Sequence, residues 1–293
     1  MSVTNCTLCP RKCKVNRSEA TGFCGANNQV KLAKAYLHKW EEPCISGENG
    51  SGTVFFSGCQ LRCCFCQNYE VSRLNTGKVV SVERLARIFT ELQCSGAHNI
   101  NLITPTPYVP MIIDALNIAK PTIPVVYNCG GYESVDTISK LCGYVDVYMP
   151  DVKFFKAEYS GKYLKCTDYF DKAIAALEAM IHQVGKPKFD EKGNMVKGVI
   201  VRHLVMPSMY KDSIQILNQL YEKFGNDKFL LSLMSQYTPC GDAGLYPEIN
   251  RKVTTLEYNK VVDTASKLGF EGFCQDKSSA VTEYIPKWDY EGV

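Results

Sequence analysis

The sequence predicts a mixed α/β fold built around a parallel sheet, preceded by a small cysteine-rich segment. Three observations lead to this prediction. The chain has 293 residues, of which 45% are hydrophobic and 22% charged, as in an ordinary globular protein. Six short apolar segments alternate with amphipathic segments, which is typical of a parallel sheet covered by helices. Of the 15 cysteines, nine lie in the first 66 residues, which sets the beginning of the chain apart.

The six predicted strands are nearly continuous in apolar residues, as expected for parallel strands buried on both faces. They comprise residues 53–57, 99–104, 123–127, 145–149, 198–205 and 229–234. The pattern alone leaves open whether the sheet is doubly wound or curled into a partial barrel. In either case we expect the active site at the C-terminal edge of the strands.

Helices are predicted between these strands, where apolar residues recur at spacings of three and four. One helix is expected to end at Gly185 and another at Gly225, because glycine readily adopts the conformation that terminates a helix. The last helix opens with a capping-box pattern, Thr254 with Glu257, and ends near Gly269. Strands and helices therefore alternate along most of the chain.

The chain divides into a cysteine-rich N-terminal segment, residues 1–52, and an α/β core with a C-terminal helix, residues 53–293. Residues 47–52 are rich in glycine and predict a flexible joint between the two parts. The first part is expected to be either a separate small module or a wrap around the core. Its cysteine content makes it a candidate metal-binding region.

Charge and hydropathy exclude several classes of protein. The formal net charge is +3, which is too small for a general nucleic-acid-binding surface. No apolar run reaches the roughly 18 residues of a membrane span, and residues 1–14 lack the apolar core of a secretory signal. We therefore expect a soluble cytoplasmic protein that binds neither nucleic acid nor membranes. In a reducing cytosol its thiols stay available for metals or chemistry.

The central motif is a cysteine triplet directly after the first predicted strand. Cys59, Cys63 and Cys66 have the spacing C-x3-C-x2-C, with Phe65 just before the last cysteine. Thiolates are soft ligands for iron–sulfur clusters and for zinc. Three thiolates on one loop can hold three irons of a [4Fe–4S] cluster and leave the fourth open; a zinc site or a structural cluster is the alternative. Cys64 fits no ligand position and is expected to be a packed thiol.

This loop resembles that of the radical S-adenosylmethionine (SAM) superfamily. The resemblance implies a partial (β/α)6 TIM-like barrel, with SAM bound at the open iron of the cluster. It also implies that a flavodoxin or ferredoxin-type reductant drives cleavage of SAM to methionine and a 5′-deoxyadenosyl radical, which abstracts a hydrogen atom. The cofactors are then a [4Fe–4S] cluster and SAM, and Phe65 is counted among the cofactor-binding residues.

Two later segments resemble those of glycyl-radical-enzyme activases, of which the pyruvate formate-lyase-activating enzyme is the familiar member. Residues 148–153 are similar to their D-x-K element, which implies that Asp151 and Lys153 help to organise the SAM site. Arg202 lies in a segment similar to their fifth strand. A buried strand arginine needs an anion, which could be a SAM carboxylate, a substrate carboxylate or an acidic side chain. His203 alternates to the opposite face and is expected to be a core histidine.

The chain as a whole resembles a branch of activase homologues that carry an N-terminal four-cysteine segment. The matching stretches are residues 41–43, 96–101, 127–132 and 235–239. One departure concerns the Gly-Gly-Glu element that many superfamily members carry after the second strand, because residues 104–107 read Thr-Pro-Thr-Pro here. Prolines lack N–H donors, so the SAM contact at this place is expected from Thr104, with Asn128 as a replacement polar contact.

Three functions remain open. The first is a radical SAM enzyme that acts on an unidentified protein or small-molecule substrate. The second is an activase that installs a glycyl radical on a partner enzyme, although residues 67–93 lack the ferredoxin-like cysteines that activases commonly add after the cluster loop. The third is a non-catalytic iron–sulfur electron-transfer or zinc-binding protein, which would not cleave SAM.

The N-terminal cysteines form a second candidate site. Cys6, Cys9, Cys13 and Cys24 have the spacing C-x2-C-x3-C-x10-C, and four thiolates could bind zinc or every iron of a second cluster. The surrounding basic residues, Arg11, Lys12, Lys14 and Arg17, would offset the negative charge of thiolates. A four-ligand site has no open position, so its role would be structural or electron-relaying. An auxiliary [4Fe–4S] cluster is favoured over zinc, and free thiols in an N-terminal tail are the remaining alternative.

Overall fold

The computed structural model describes residues 4–275 and 286–293. Its strands are β1 (Val30–His38), β2 (Ser51–Phe56), β3 (Lys78–Val80), β4 (Ile100–Ile103), β5 (Val125–Cys129), β6 (Val147–Pro150), β7 (Lys188–Phe189), β8 (Met195–Leu204), β9 (Leu230–Met234) and β10 (Gly272–Cys274). Its helices are α1 (Pro43–Ser46), α2 (Tyr69–Ser72), α3 (Val82–Cys94), α4 (Val109–Ala119), α5 (Val135–Lys140), α6 (Ala157–Leu164), α7 (Tyr169–Val184), α8 (Tyr210–Phe224) and α9 (Thr255–Lys267). None of these helices is long and apolar enough to cross a membrane.

The strand order identifies the sheet as a partial barrel. Strands β2, β4, β5, β6, β8, β9 and β10 lie side by side in sequence order and pair in parallel. A doubly wound sheet would reverse its strand order at a switch point, whereas here each strand–helix unit adds to the same side of the preceding one. The first six of these strands overlap the six predicted from the sequence. Those predictions and the predicted fold class are confirmed.

The N-terminal strand β1 was not predicted. It pairs antiparallel with β2 and with β3, and so extends the main sheet at one edge. The sequence pattern does not indicate this strand, because Lys34 interrupts its apolar run. In the structure, Lys34 is nevertheless only 6% exposed. Its ammonium group is paired with Asp289 at 2.8 Å and with Glu291 at 3.0 Å. Burial of the lysine therefore depends on residues more than 250 positions away.

The short helix α1 lies against the barrel interior near the N-terminal ends of the strands. Its residues Cys44 and Ile45 pack with Val126, Met149 and Ile200, which belong to the inward-facing side of the sheet. The carbonyl of Ile45 accepts a hydrogen bond from Asn99, just before β4. Helix α1 thus covers the N-terminal end of the barrel and leaves the C-terminal end for the site. Residues 51 and 52, placed in a joint by the sequence, belong to β2 instead; the division of the chain at residue 52 remains a prediction.

The outer face of the sheet packs against the long helices. Helices α7 and α8 end at Gly185 and Gly225, which have φ of 70° and 73°, as predicted. Helix α9 begins with the predicted capping box. There the Thr254 hydroxyl accepts from the Glu257 backbone N–H at 3.2 Å, and the Glu257 carboxylate accepts from the Thr254 N–H at 2.8 Å.

The capping box supplies a test of the fold. We expect Thr254→Ala to lower the free energy of unfolding by about 1 kcal/mol, because a backbone N–H at the start of α9 loses its acceptor. Urea denaturation measures the change. Thr264→Ala is the matched control, since the Thr264 hydroxyl only donates to the Lys260 carbonyl within the same helix; its change should stay within about 0.5 kcal/mol. Equal losses in both variants would contradict a specific capping contribution.

Candidate active site

Polar side chains from neighbouring strands meet at the C-terminal edge of the barrel. Thr104 follows β4 directly, and its N–H donates to the carbonyl of Asn128 in β5 at 2.9 Å. Asp151 follows β6 and forms an isolated parallel bridge with Arg202 of β8. Because parallel strands end at one edge of a sheet, residues far apart in sequence are adjacent here. The structure thus brings together Thr104, Asn128, Asp151 and Arg202; their role as cofactor-binding residues stays a prediction.

Arg202 is the centre of a buried ionic network. Its Nε lies 3.0 Å from Asp151 Oδ1, and its Nη2 donates to Asn128 Oδ1 at 2.5 Å. Its Nη1 lies 3.6 Å from Glu41 Oε2, and Lys153 Nζ lies 2.5 Å from Asp151 Oδ2. The four charged side chains are only 11% to 17% exposed. The sequence left three candidate anions for Arg202: a SAM carboxylate, a substrate carboxylate and an acidic side chain. In the structure, Arg202 is paired with acidic side chains of the protein itself.

The network keeps Asp151 and Lys153 charged. Burial alone would raise the pKa of Asp151, but the positive charges of Arg202 and Lys153 outweigh burial and lower that pKa. Burial would lower the pKa of Lys153, but Asp151 more than reverses the effect. Burial raises the pKa of Glu41 against the opposing charge of Arg202. Asp151 and Lys153 therefore form an ion pair at neutral pH.

The cysteine loop that follows β2 lies beside this network. Burial raises the pKa of Cys59 well above its ordinary value, and the neighbouring thiols of Cys63 and Cys66 raise it further. Burial also raises the pKa of Cys63, to about 12, and the positive charge of Lys153 opposes this rise. The three thiols are thus close enough to influence one another, and the ammonium group of Lys153 lies near them.

Two polar groups donate hydrogen bonds to sulfur atoms of this loop. The Leu61 N–H donates to Cys59 Sγ at 3.4 Å, and the Ser72 hydroxyl donates to Cys66 Sγ at 3.1 Å. Such donors stabilise negative charge on sulfur and are one means by which proteins tune iron–sulfur clusters. In the part of the chain that the structure describes, no three Cys, His, Asp or Glu side chains converge on a single metal ion. A [4Fe–4S] cluster does not need such convergence, because each thiolate binds a different iron, so the donor set fits a cluster.

Phe65 and Cys64 are buried in the apolar cluster beneath the loop. The Phe65 ring is 6% exposed and makes edge contacts with Phe154 and Tyr237, each at a centroid distance of 6.0 Å. Cys64 is 3% exposed, and its backbone is held by hydrogen bonds with Tyr163 and Asp242. These contacts hold the cysteine loop against the apolar core. They place Cys64 as a packed thiol, in agreement with the sequence analysis.

The Thr-Pro segment after β4 has an unusual backbone. Thr104 has φ of 58°, which is strained for a β-branched residue and costs about 1–3 kcal/mol. Two residues later, the Thr106 hydroxyl donates to Glu133 Oε1 at 2.8 Å. Gln60, which follows Cys59, donates to the same oxygen at 2.8 Å. The Thr-Pro segment is thereby tied to the cysteine loop through one buried carboxylate.

Glu133 and Glu41 are site residues that the sequence analysis missed. Burial raises the pKa of Glu133 to about 7, against the opposing effect of its hydrogen bonds. It lies four residues after the end of β5, so the rule that identified other strand-end residues could have found it. Glu41 precedes α1 at the other end of the barrel. It lay in one of the stretches that resemble the activase branch, which was the only signal for it in the sequence.

The N-terminal cysteines meet on the same side of the molecule. Cys6, Cys9, Cys13 and Cys24 line one cavity together with Arg11, Arg17 and Gln60. The surrounding segment is fixed to the barrel: Thr137 donates to the Leu8 carbonyl at 2.7 Å, and Arg11 donates to the Gln60 and Lys165 carbonyls at 3.1 and 2.6 Å. Residues 4–24 thus pack on the loops at the C-terminal end of the barrel.

The chain is similar to known proteins in sequence and in structure. The sequence model of the radical SAM superfamily matches residues 53–215. An uncharacterized protein of Methanocaldococcus jannaschii is 31% identical over 276 residues, which covers 91% of this chain and 76% of that protein. Among solved structures, Streptococcus suis SuiB is similar over 77% of this chain, with a TM-score of 0.48 and 13% identity, and the chain spans about half (48%) of its length. Methylornithine synthase PylB is similar over 73% of this chain and 63% of its own, with a TM-score of 0.49 and 15% identity.

The ionic network predicts an order of stabilities. We expect Arg202→Met to lower the free energy of unfolding by about 3–5 kcal/mol, because it leaves two buried carboxylates without their guanidinium partner. Lys153→Met should cost about 1–2 kcal/mol, since Asp151 keeps Arg202 as a partner. Urea denaturation of both variants measures the difference. An equal or reversed order would show that Arg202 is not the centre of the network.

Proposed function

The chain belongs to the radical SAM superfamily, and from that premise we propose that Cys59, Cys63 and Cys66 hold a [4Fe–4S] cluster whose open iron binds SAM. When bound, these cofactors supply reductive cleavage of SAM and a 5′-deoxyadenosyl radical for hydrogen abstraction. One observation carries the proposal: the three-thiol loop and the Asp151–Lys153 pair, about 90 positions apart in sequence, lie together at the C-terminal edge of the barrel, where Leu61 of the loop and Lys153 both flank Gly130.

The cysteine loop and Lys153 together bind and stabilise a negatively charged centre. Three thiolates bring negative charge into a largely buried place, and the Lys153 ammonium group lies next to them. The donors Leu61 N–H and Ser72 Oγ stabilise two of the sulfurs. The buried ring of Phe65 packs against the core and keeps the loop in place. The protein thus supplies charge balance and orientation.

We assign the strand-end residues to SAM, in two different roles. Thr104, Asn128, Asp151 and Lys153 form the polar edge where SAM would lie next to the loop. Arg202 acts by positioning, because its guanidinium group is already engaged with Asp151, Asn128 and Glu41. It holds the Asp151 carboxylate and the Asn128 amide in fixed orientations.

The activase resemblance supports a narrower proposal. The elements that carry it, the Asp151–Lys153 pair and the Arg202 segment, are brought into contact by the fold. We therefore propose an activase-like oxidoreductase that receives its electron from a flavodoxin or ferredoxin-type protein. Its hydrogen donor is then a protein, such as a glycyl radical enzyme, or a small molecule.

Cleavage of SAM is the first test of the proposed function. Anaerobically reconstituted protein, reduced with dithionite, should form 5′-deoxyadenosine, measured by liquid chromatography. Cys63→Ala should abolish this product, because one iron loses its ligand. Cys64→Ala is the matched control: the neighbouring thiol is also buried, and its loss should leave the product in place. Loss of activity in both variants would refute the ligand assignment, and no product from the wild type would favour a non-catalytic protein.

The role of Lys153 is tested by equilibrium binding of SAM to the reconstituted protein. We expect Lys153→Met to raise the dissociation constant for SAM at least about tenfold, which corresponds to about 1.4 kcal/mol. The control is Lys156→Met, because this exposed lysine stands three residues away and contacts the ring of Tyr159. Its affinity for SAM should equal that of the wild type. Unchanged affinity in Lys153→Met would restrict this lysine to a structural role.

A further inference from the structure

The four N-terminal cysteines surround a cavity beside the Cys59–Cys63–Cys66 loop, and none of those three cysteines lines it. The lining consists of Cys6, Cys9, Cys13 and Cys24 with Leu8, Arg11, Arg17, Phe23, Gln60, Thr106 and Pro107. Its cysteines come from two parts of the segment, and the backbone between them is tightly folded: Lys14 N–H donates to the Cys6 carbonyl, and Lys12 N–H to the Cys9 carbonyl. The cavity is thus lined by four soft ligands, which within the described residues do not converge on a single metal position. A cluster would bind each sulfur at a different iron, whereas zinc would require the four side chains to turn toward one point.

The buried side chain of Arg17 indicates that this cavity holds a ligand. Its side chain lines the cavity and is 1% exposed. Its Nη1 and Nη2 donate to the carbonyls of Pro107 and Asn27, whereas its Nε has no hydrogen-bond partner. Within residues 4–275 and 286–293, no carboxylate forms an ion pair with it. A guanidinium group is always charged in proteins, and a buried charge without a counter-charge is strongly unfavourable.

Neutral thiols do not supply that counter-charge, whereas metal-bound thiolates do. Four thiolates carry four negative charges, and zinc returns only two positive ones, so a four-thiolate zinc centre has a net negative charge. A [4Fe–4S] cluster with four thiolates is likewise an anion. In either centre each thiol loses its proton to solvent as its sulfur binds the metal. Arg17, with Arg11 beside it, then faces negative charge.

The cavity also touches the loop proposed to hold the SAM cluster. The Cys59 N–H donates to the Cys24 carbonyl at 3.1 Å. A Cβ atom at Gly58, which has φ of 84°, would lie 2.5 Å from the same carbonyl oxygen, so only glycine permits this approach. Arg62, also on the loop, donates to the Phe23 carbonyl at 3.1 Å. The two groups of cysteines are therefore joined through the backbone.

We propose that Cys6, Cys9, Cys13 and Cys24 form a closed four-thiolate centre for zinc or for an iron–sulfur cluster, which neutralises buried Arg17 and braces the loop that carries Cys59. All four ligand positions are filled by protein, so the centre does not bind substrate. It fixes residues 4–24 on the barrel and holds Gly58 and Cys59 in place. The proposal goes beyond SAM cleavage and does not depend on it.

The first experiment is metal analysis of a variant without the loop ligands, Cys59→Ala/Cys63→Ala/Cys66→Ala. Purified anaerobically and reconstituted, this variant should retain metal. About one zinc per chain would identify a tetrahedral zinc centre, and about four irons per chain would identify a cluster. Either result supports the centre even if the wild type fails to cleave SAM. Absence of both metals from the folded variant would overturn the proposal.

Single substitutions in that variant assign the ligands. Adding Cys9→Ser should remove the retained metal, whereas adding Cys94→Ser should not, because Cys94 is an exposed thiol on α3. Since loss of the metal could also unfold the segment, thiol labelling of the wild-type protein provides a second measurement. Mass spectrometry after alkylation should show Cys6, Cys9, Cys13 and Cys24 protected until a chelator is added, with Cys94 labelled throughout. Labelling of all four without a chelator would contradict metal binding.

The charge argument is tested at Arg17. In the triple variant, Arg17→Met should lose the metal to a chelator at least tenfold faster than the parent, because the buried centre loses its counter-charge. Lys12→Met is the matched control: Lys12 lies between the ligands in sequence but is exposed, and its removal should leave the rate unchanged. Equal metal retention in both variants would show that Arg17 is not the counter-charge of the centre.

Discussion

The guanidinium group of Arg202 is the constraint on which the interior of the barrel depends. A charge buried there loses several kcal/mol of hydration, and one neighbouring carboxylate at about 4 Å returns only about 4 kcal/mol at the effective dielectric constant of proteins. Arg202 therefore adds little net stability of its own. Its contribution is to position other residues, because each nitrogen of its planar guanidinium group contacts a different side chain. These side chains are Asp151, Asn128 and Glu41. Three segments of the chain are fixed by one side chain.

This arrangement joins the two ends of the barrel. Glu41 stands two residues before the start of α1, which covers the N-terminal end, whereas Asp151 belongs to the edge where the cysteine loop lies. Arg202 contacts both. The apolar contacts of Ile45 set the position of α1, and that position sets where the Glu41 carboxylate enters the barrel. Packing at the closed end thus influences the electrostatics of the site at the open end.

The sequence was informative where a local pattern determines the structure. Buried parallel strands are continuous apolar runs, so six strands could be predicted, and strand ends share an edge, so Thr104, Asn128, Asp151 and Arg202 could be grouped. It was not informative where contacts are made between distant segments. Strand β1 contains Lys34, which reads as exposed until Asp289 and Glu291 are known to neutralise it. Glu41 lies outside strands and helices, and no periodicity indicates that its carboxylate enters the core. Likewise, the spacing of the N-terminal cysteines does not reveal that Cys24 contacts Cys59.

The pairing of Lys34 with Asp289 and Glu291 also bears on how the chain folds during its synthesis. A ribosome delivers β1 and its neighbour β2 long before residue 289 leaves the exit tunnel, and N-terminal parts of a chain generally begin to fold first. Until then the ammonium group of Lys34 has neither of its carboxylate partners, and burying it would be costly. The part of the sheet that β1 and β3 form is therefore expected to assemble late, after the parallel strands. A barrel that begins to fold at its N-terminal side would thus be completed by ion pairs with residues near the C-terminal end of the chain.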